Sequence, residues 1–156
     1  MPFDSSQTAE QIGGPRVTQF SVFLPNRVGA LLDVVRILNE YHVHVLAVNV
    51  QDAADTAIVR IVVSDPESVQ TLFLERAVAF SVCELVVVEL KEGATELGRL
   101  LAALLAAECN IFGSYALLTR PRGRTALALH VEDNECAVSV LQSHQFTILG
   151  QSDISR

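Results

Sequence analysis

The sequence predicts an α+β fold made of two tandem βαββαβ units, each an antiparallel sheet with its helices on one face. Three observations predict it. Apolar residues recur at helical spacing in two places, strand-like alternation precedes each of them, and the two copies keep a nearly constant offset through most of the chain.

Leu31, Val34, Val35 and Leu38 hold positions i, i+3, i+4 and i+7 of one helix face. Leu97, Leu100, Leu101 and Leu104 repeat that pattern 66 residues later. Before the first helix, Phe20, Val22 and Leu24 alternate with Gln19, Ser21 and Phe23. Val86, Val88 and Leu90 lie at the same offset of 66. A second strand is expected over residues 44–51 and 110–118. A turn at 52–56 in copy one and the longer turn Thr119, Arg120, Pro121, Arg122, Gly123 in copy two lead to a third strand at 57–63 and 125–131, now at offset 68. A second helix opens at Asp65-Pro66-Glu67 and again at Asp133-Asn134-Glu135. Aspartate is a favoured N-cap, and proline at the first helical position loses no hydrogen bond. A last strand starts at Phe80 and at Phe146. Helices are expected near 28–41, 66–77, 95–107 and 134–144.

Two right-handed crossovers in such a unit place both helices on one sheet face. The other face carries Val45, Ala47, Ile58 and Val62 in copy one and Leu85, Val87, Ala126 and Ala128 in copy two, an apolar band that calls for a cover unless the register is shifted by one. Residues 80–90 contain neither Gly nor Pro, so the last strand of copy one should run into the first of copy two. The expected organisation is a flexible N-terminal tail at 1–16, one unit at 17–84, a second at 85–150, and a C-terminal tail at 151–156.

Of 156 residues, half are apolar; 11 basic residues face 18 acidic ones, for a formal charge of -7. That balance disfavours nucleic acid and anionic membranes, which need clustered Lys and Arg. The one basic cluster, Arg120, Arg122 and Arg124, reads as a solvated hairpin tip. Cys83, Cys109 and Cys136 are odd in number and irregularly spaced, which suits free thiols in a reducing cytoplasm better than disulfides or zinc. No apolar run reaches the length of a membrane span. There is no local catalytic signature, so no enzyme, no cofactor and no metal is expected. His42 and His44 share a strand-face spacing but lack a third ligand nearby, which leaves a metal-responsive sensor as a minor alternative. Glu89 reads as an isolated strand carboxylate.

One segment carries chemistry. Leu24-Pro25-Asn26-Arg27-Val28-Gly29-Ala30-Leu31 joins the first strand to the first helix. Such a turn offers free backbone N–H groups and the positive end of the helix dipole to a carboxylate. Gly29 allows close approach to the backbone, and Asn26 both donates and accepts. Asn26 is equally suited to capping the helix, with Gly29 only relieving the turn.

From 17 to 150, as two copies, the chain resembles the ACT domain family of amino-acid-sensing regulatory modules. The run from Phe20 through Leu31 is similar to that family's strand, loop and helix start. Glu108-Cys109-Asn110-Ile111 is similar to the start of its second strand. The resemblance implies a ferredoxin-like fold, side-by-side domain assembly, and an amino acid or similar small carboxylate held between the loop of one domain and the asparagine of its neighbour. Val28 stands where the family usually has proline. Thr95 occupies the position of Gly29 in copy two, and His44 that of Asn110 in copy one. Copy one thus keeps the loop and copy two the asparagine, so the competent site would combine Asn26 and Gly29 with Asn110, while Thr95 and His44 form a degenerate counterpart.

The expectation is a regulatory or sensor protein that binds an amino acid between ACT-like domains. The alternative is a ligand-free interaction subunit that docks on a larger metabolic enzyme. Side-by-side pairing within one chain would need copy one's last strand to reach across six strands, roughly 29 Å, with a connection that spans about 10 Å. The site is therefore expected between two chains of a homodimer, with the outer sheet faces stacked on each other.

Overall fold

The computed structural model describes residues 16–25 and 29–155. Its elements run β1 (Val17–Pro25), α1 (Ala30–Glu40), β2 (Val45–Ala53), β3 (Thr56–Val63), α2 (Pro66–Glu75), β4 (Phe80–Leu90), α3 (Leu97–Ala106), β5 (Ile111–Ala116), β6 (Thr125–Val131), α4 (Asn134–Ser143), β7 (Thr147–Leu149) and a short α5 (Gln151–Ile154). Two βαββαβ units in an α+β fold are present, as the repeat implies. Except for Arg16, the expected tail at 1–16 lies outside the described residues, as do Asn26, Arg27 and Val28.

The strands follow the order β2-β3-β1-β4-β6-β5, with β7 also bonded to β4. β4 is shared. Its first half pairs antiparallel with β1, ending at Val17 opposite Leu85. Its second half pairs with β6 from Val86 opposite Leu129, and with β7 from Val87 opposite Leu149. One uninterrupted strand thus serves as the last strand of copy one and the first of copy two. The sheet curls until its two edges meet, where the Leu118 N–H donates to the Leu46 carbonyl at 2.7 Å.

Each copy has a helix-side core. In copy one, Phe20, Phe73 and Phe80 cluster with centroids 5.5–5.8 Å apart around Val34, Leu38 and Ile61. In copy two, Val86, Val88, Leu100, Leu104, Leu129 and Leu141 do the same work. The α3 face differs from the expected one. Leu100, Ala103 and Leu104 are buried, but Leu97 and Leu101 are exposed together with Leu105. The N-caps are as expected: Asp65 accepts from the Ser68 N–H at 3.2 Å and Asp133 from the Cys136 N–H at 3.0 Å. The Ser68 hydroxyl, donating to Asp65 at 2.6 Å, holds that carboxyl below its ordinary pKa.

The outer sheet faces meet within the chain itself. Ala47, Val62, Leu85, Val87, Ala126 and Ala128 form one inter-sheet core with Val17, Leu46, Leu149 and Ile154. Two expected members behave otherwise. A bulge between Val45 and Ala47 reverses the alternation, so Val45 packs on the helix side and both Leu46 and Ala47 turn inward. Ile58, toward the β2–β3 hairpin, is only half-buried. Residues 151–156, expected as a tail, include α5, whose Ile154 is 1% exposed and whose Gln151 donates to the Val63 carbonyl at 2.9 Å. The arginine hairpin is tied down too. Arg122 pairs with Asp153 at 3.1 Å, and Arg124 with Glu89 at 3.4 Å. Glu89 is therefore a buried, paired carboxylate rather than an isolated one.

Candidate functional site

The loop that joins β1 to α1 is anchored on both sides by packing. Leu24 and Leu31 sit against the copy-one core and Ala30 is buried, which fixes where the strand ends and the helix starts. Pro25 and Gly29 are exposed. Gly29 is the N-cap of α1, with φ +92, and its carbonyl accepts the first helical bond from the Asp33 N–H at 2.9 Å. A side chain at that φ is strained, although an added Cβ would meet no described atom within 4 Å. The requirement for glycine is one of conformation, not of crowding. Asn26, Arg27 and Val28 belong to the undescribed stretch.

Asn110 is exposed at the start of β5. Its side-chain amide donates to Glu132 at 2.8 Å, and its carbonyl accepts the Glu132 N–H at 2.9 Å. Ile111 beside it is half-buried against the copy-two core. Glu84, Glu108, Glu132, Asp133 and Glu135, with Arg16, line an open depression of about 710 Å³ next to this corner. Arg16 lies 3.7 Å from Glu84. The Asn110 corner is thus acidic, suited to an ammonium rather than a carboxylate. Three strand steps separate β1 from β5 in the sheet, so strand pairing does not bring Gly29 and Asn110 of one chain together.

The corresponding turn of copy two is closed by its own side chains. The stretch Gly93–Glu96 is a short 3-10 turn. The Glu92 N–H donates to Glu96 at 2.8 Å, and Thr95 donates to the Glu92 carbonyl at 2.9 Å. Arg99 binds Glu96 at 2.8 Å, donates to the His144 carbonyl at 2.7 Å and lies 4.0 Å over the Phe146 ring. The Glu92 N–H, then Arg99, hold the Glu96 carboxyl below its ordinary pKa. His44 uses its backbone N–H on the Ser64 hydroxyl at 2.9 Å. No group of three metal-ligating side chains occurs among the described residues. Cys83, Cys109 and Cys136 are free thiols, and burial pushes the first two up in pKa.

A second cavity, of about 310 Å³, opens between the two stacked sheets, lined by Gln19, Asn49, Gln51, Arg60, Tyr115 and His130 among others. Sequence reasoning missed it. Its one signal was the polar residues at inward positions of otherwise apolar strands.

Among the described residues no helix is long and apolar enough to cross a membrane. No curated protein sequence matches the chain. Among solved structures, a protein from Bacteroides thetaiotaomicron is similar at 22% identity, covering 90% of this chain and 96% of that one, with a TM-score of 0.82. The regulatory subunit of aspartate kinase from Thermus thermophilus, in its ligand-free form, is similar at 14% identity, with 84% and 91% covered and a TM-score of 0.57. The corresponding subunit from Thermus flavus is similar at 14% identity, with 83% and 92% covered and a TM-score of 0.50. These likenesses are of fold. A family model described as an ACT domain pair matches residues 16–156, and the chain belongs to that family.

Proposed function

We propose that this chain is a regulatory, non-catalytic protein that binds an amino acid or similar small carboxylate where the loop 24–31 of one chain meets Asn110 of a second chain. The observation that carries it is the contrast between the two equivalent loops. Copy two's turn is closed by Glu96, whereas copy one keeps a left-handed Gly29 whose added Cβ would meet no described atom within 4 Å. Loop N–H groups would take the ligand carboxylate, and Asn110 with Glu132 its ammonium. The family and the similar aspartate kinase regulatory subunits support a regulatory role. The free cysteines suit the reducing cytoplasm.

Thermal-shift screening against the common amino acids tests this. A ligand at 100-fold over its Kd adds about 2.7 kcal/mol, or roughly 5–10 °C for a chain of this size. Light scattering should give a dimer at micromolar concentration, and mixing a Gly29 variant with an Asn110 variant should restore one site per heterodimer. Absence of any shift across the screen, or stoichiometric binding by a monomer, overturns the reading.

A second reading, docking on a larger enzyme without ligand, is favoured by one observation. Leu97, Leu101 and Leu105 form an exposed apolar stripe along α3. Co-purification of an enzyme that is lost with Leu101→Glu and Leu105→Glu would select it.

A further inference from the structure

Stacked sheets normally bury apolar side chains between them. Here only part of the layer does so. At the other part, five strands turn polar residues inward: Gln19 from β1, Asn49 and Gln51 from β2, Arg60 from β3, Tyr115 from β5 and His130 from β6. Between them lies the cavity of about 310 Å³. At ~30 Å³ of liquid volume per water, that is room for about ten non-hydrogen atoms.

The lining is built rather than incidental. Gln19 is 1% exposed. Its carbonyl accepts from the Tyr115 hydroxyl at 2.6 Å, and its amide faces the Cys83 sulfur at 3.2 Å and the Ser21 hydroxyl at 3.4 Å. Burial pushes the Tyr115 phenol above its usual range, so it stays a neutral donor. Arg60 donates to the neutral Gln51 carbonyl at 2.9 Å, and none of the ion pairs among the described residues includes it. No Asp or Glu lines the cavity. In a chain of net charge -7, a half-buried guanidinium facing a space without carboxylates is an anion site in waiting. Phe112, packed edge-on to His130 at 5.4 Å, adds an aromatic surface to the same wall.

We propose that this inter-sheet cavity is a second ligand site, separate from the loop and Asn110, which binds a small carboxylate carrying an apolar or aromatic group, with Arg60 holding the carboxylate and Phe112 the apolar part. Because both copies contribute walls, its ligand would fix the two sheets relative to each other.

Isothermal titration of the full chain with phenylacetate, and with its uncharged counterpart phenylacetamide, tests the proposal. Phenylacetate should bind saturably, at least tenfold more tightly than the amide, and should shift the ring resonances of His130 and Tyr115. Arg60→Leu should remove binding, Arg60→Lys should weaken it, and Asn110→Ala or Gly29→Val should leave it unchanged. Asn49→Phe, which puts a ring into the cavity without changing charge and should also remove binding, serves where Arg60→Leu does not fold. Absence of saturable binding, or equal binding of acid and amide, overturns the proposal. Loss of binding in Asn110→Ala with retention in Arg60→Leu would also overturn it, while leaving the loop site standing.

Discussion

The two copies share a scaffold and differ in the first turn. In copy two the Glu92 N–H is taken by Glu96, which Arg99 braces against α4 through the His144 carbonyl. In copy one the same turn ends in a left-handed glycine with nothing described near its missing side chain. On the proposed reading, a carboxylate of the chain itself takes in copy two the place that a ligand carboxylate would fill in copy one. Both first helices dock on comparable cores, so what separates the two turns among the described residues is the Glu96 hydrogen bond on one side and the left-handed Gly29 on the other.

The comparison presumes that the copies are one cooperative body, and the shared strand is where that breaks first. Leu85 is buried at the last residue of β4 that pairs with β1, just before the pairing passes to β6, and it belongs to the inter-sheet core. Leu85→Ala should cost about 2–5 kcal/mol and lower both copies together, giving one transition in urea by fluorescence and by circular dichroism. Two separated transitions would mean that the copies fold independently. The next effect is on binding. Gly29→Val places a β-branched residue at φ +92, at about 1–2 kcal/mol of strain, and should abolish amino-acid binding. Thr95→Gly should leave binding unchanged, because Glu96 still closes that turn. Loss of binding in the threonine variant alone would reverse the assignment of the two loops.

Glu96 sharpens the same contrast through pH. Its folded pKa is held below the ordinary 4.5, chiefly by the Glu92 N–H. The group therefore contributes stability that is full above the unfolded pKa and is lost as pH falls through the folded one. Glu96→Gln should lower stability at neutral pH by about 0.5–1 kcal/mol, the scale of a helix cap, and the gap from the parent chain should narrow in acid. A gap that stays constant down to low pH would show that the charge of Glu96 does not close the turn.

How much of this was legible follows from the range of each interaction. The repeat, the N-caps at Asp65 and Asp133 and the unbroken strand at 80–90 are local patterns, and the sequence carries them. The bulge at Leu46 is invisible to a strict alternation, which puts Val45 on the outer face rather than on the helix side where it packs. The closure of the sheet through Leu46 and Leu118 joins residues far apart in the chain, and with it the cover for the apolar faces comes from the same chain. The expected cover was a second chain. The same closure assembles Gln19, Arg60 and Tyr115, one residue per strand, and no linear motif announces them. Glu89 and Arg124 meet across paired strands for the same reason.

The smallest effect tests the repeat itself. Four non-glycine residues adopt left-handed backbone just after helices: His42 after α1, Ala77 after α2, Glu108 after α3 and Gln145 after α4, with φ of 58, 53, 54 and 66. Each sits in the same pair of helix-ending bonds. In copy one the Val43 N–H reaches back to the Leu38 carbonyl and the Val78 N–H to Phe73; in copy two Cys109 reaches Leu104 and Phe146 reaches Leu141, all at 2.9–3.0 Å. That geometry favours glycine. Replacing any of the four with glycine relieves about 1–2 kcal/mol of strain and gives back about 0.4–1 kcal/mol through the freer unfolded chain. A net gain of about 0.5 kcal/mol corresponds to a rise in Tm of about 1–2 °C. Ala77→Gly and Gln145→Gly should gain alike, since they end equivalent helices. Glu108→Gly should gain more than His42→Gly, because it also removes one carboxylate from the crowded acidic corner beside Asn110. Equal gains at 108 and 42 would show that the carboxylates at that corner do not repel one another measurably in the unliganded protein.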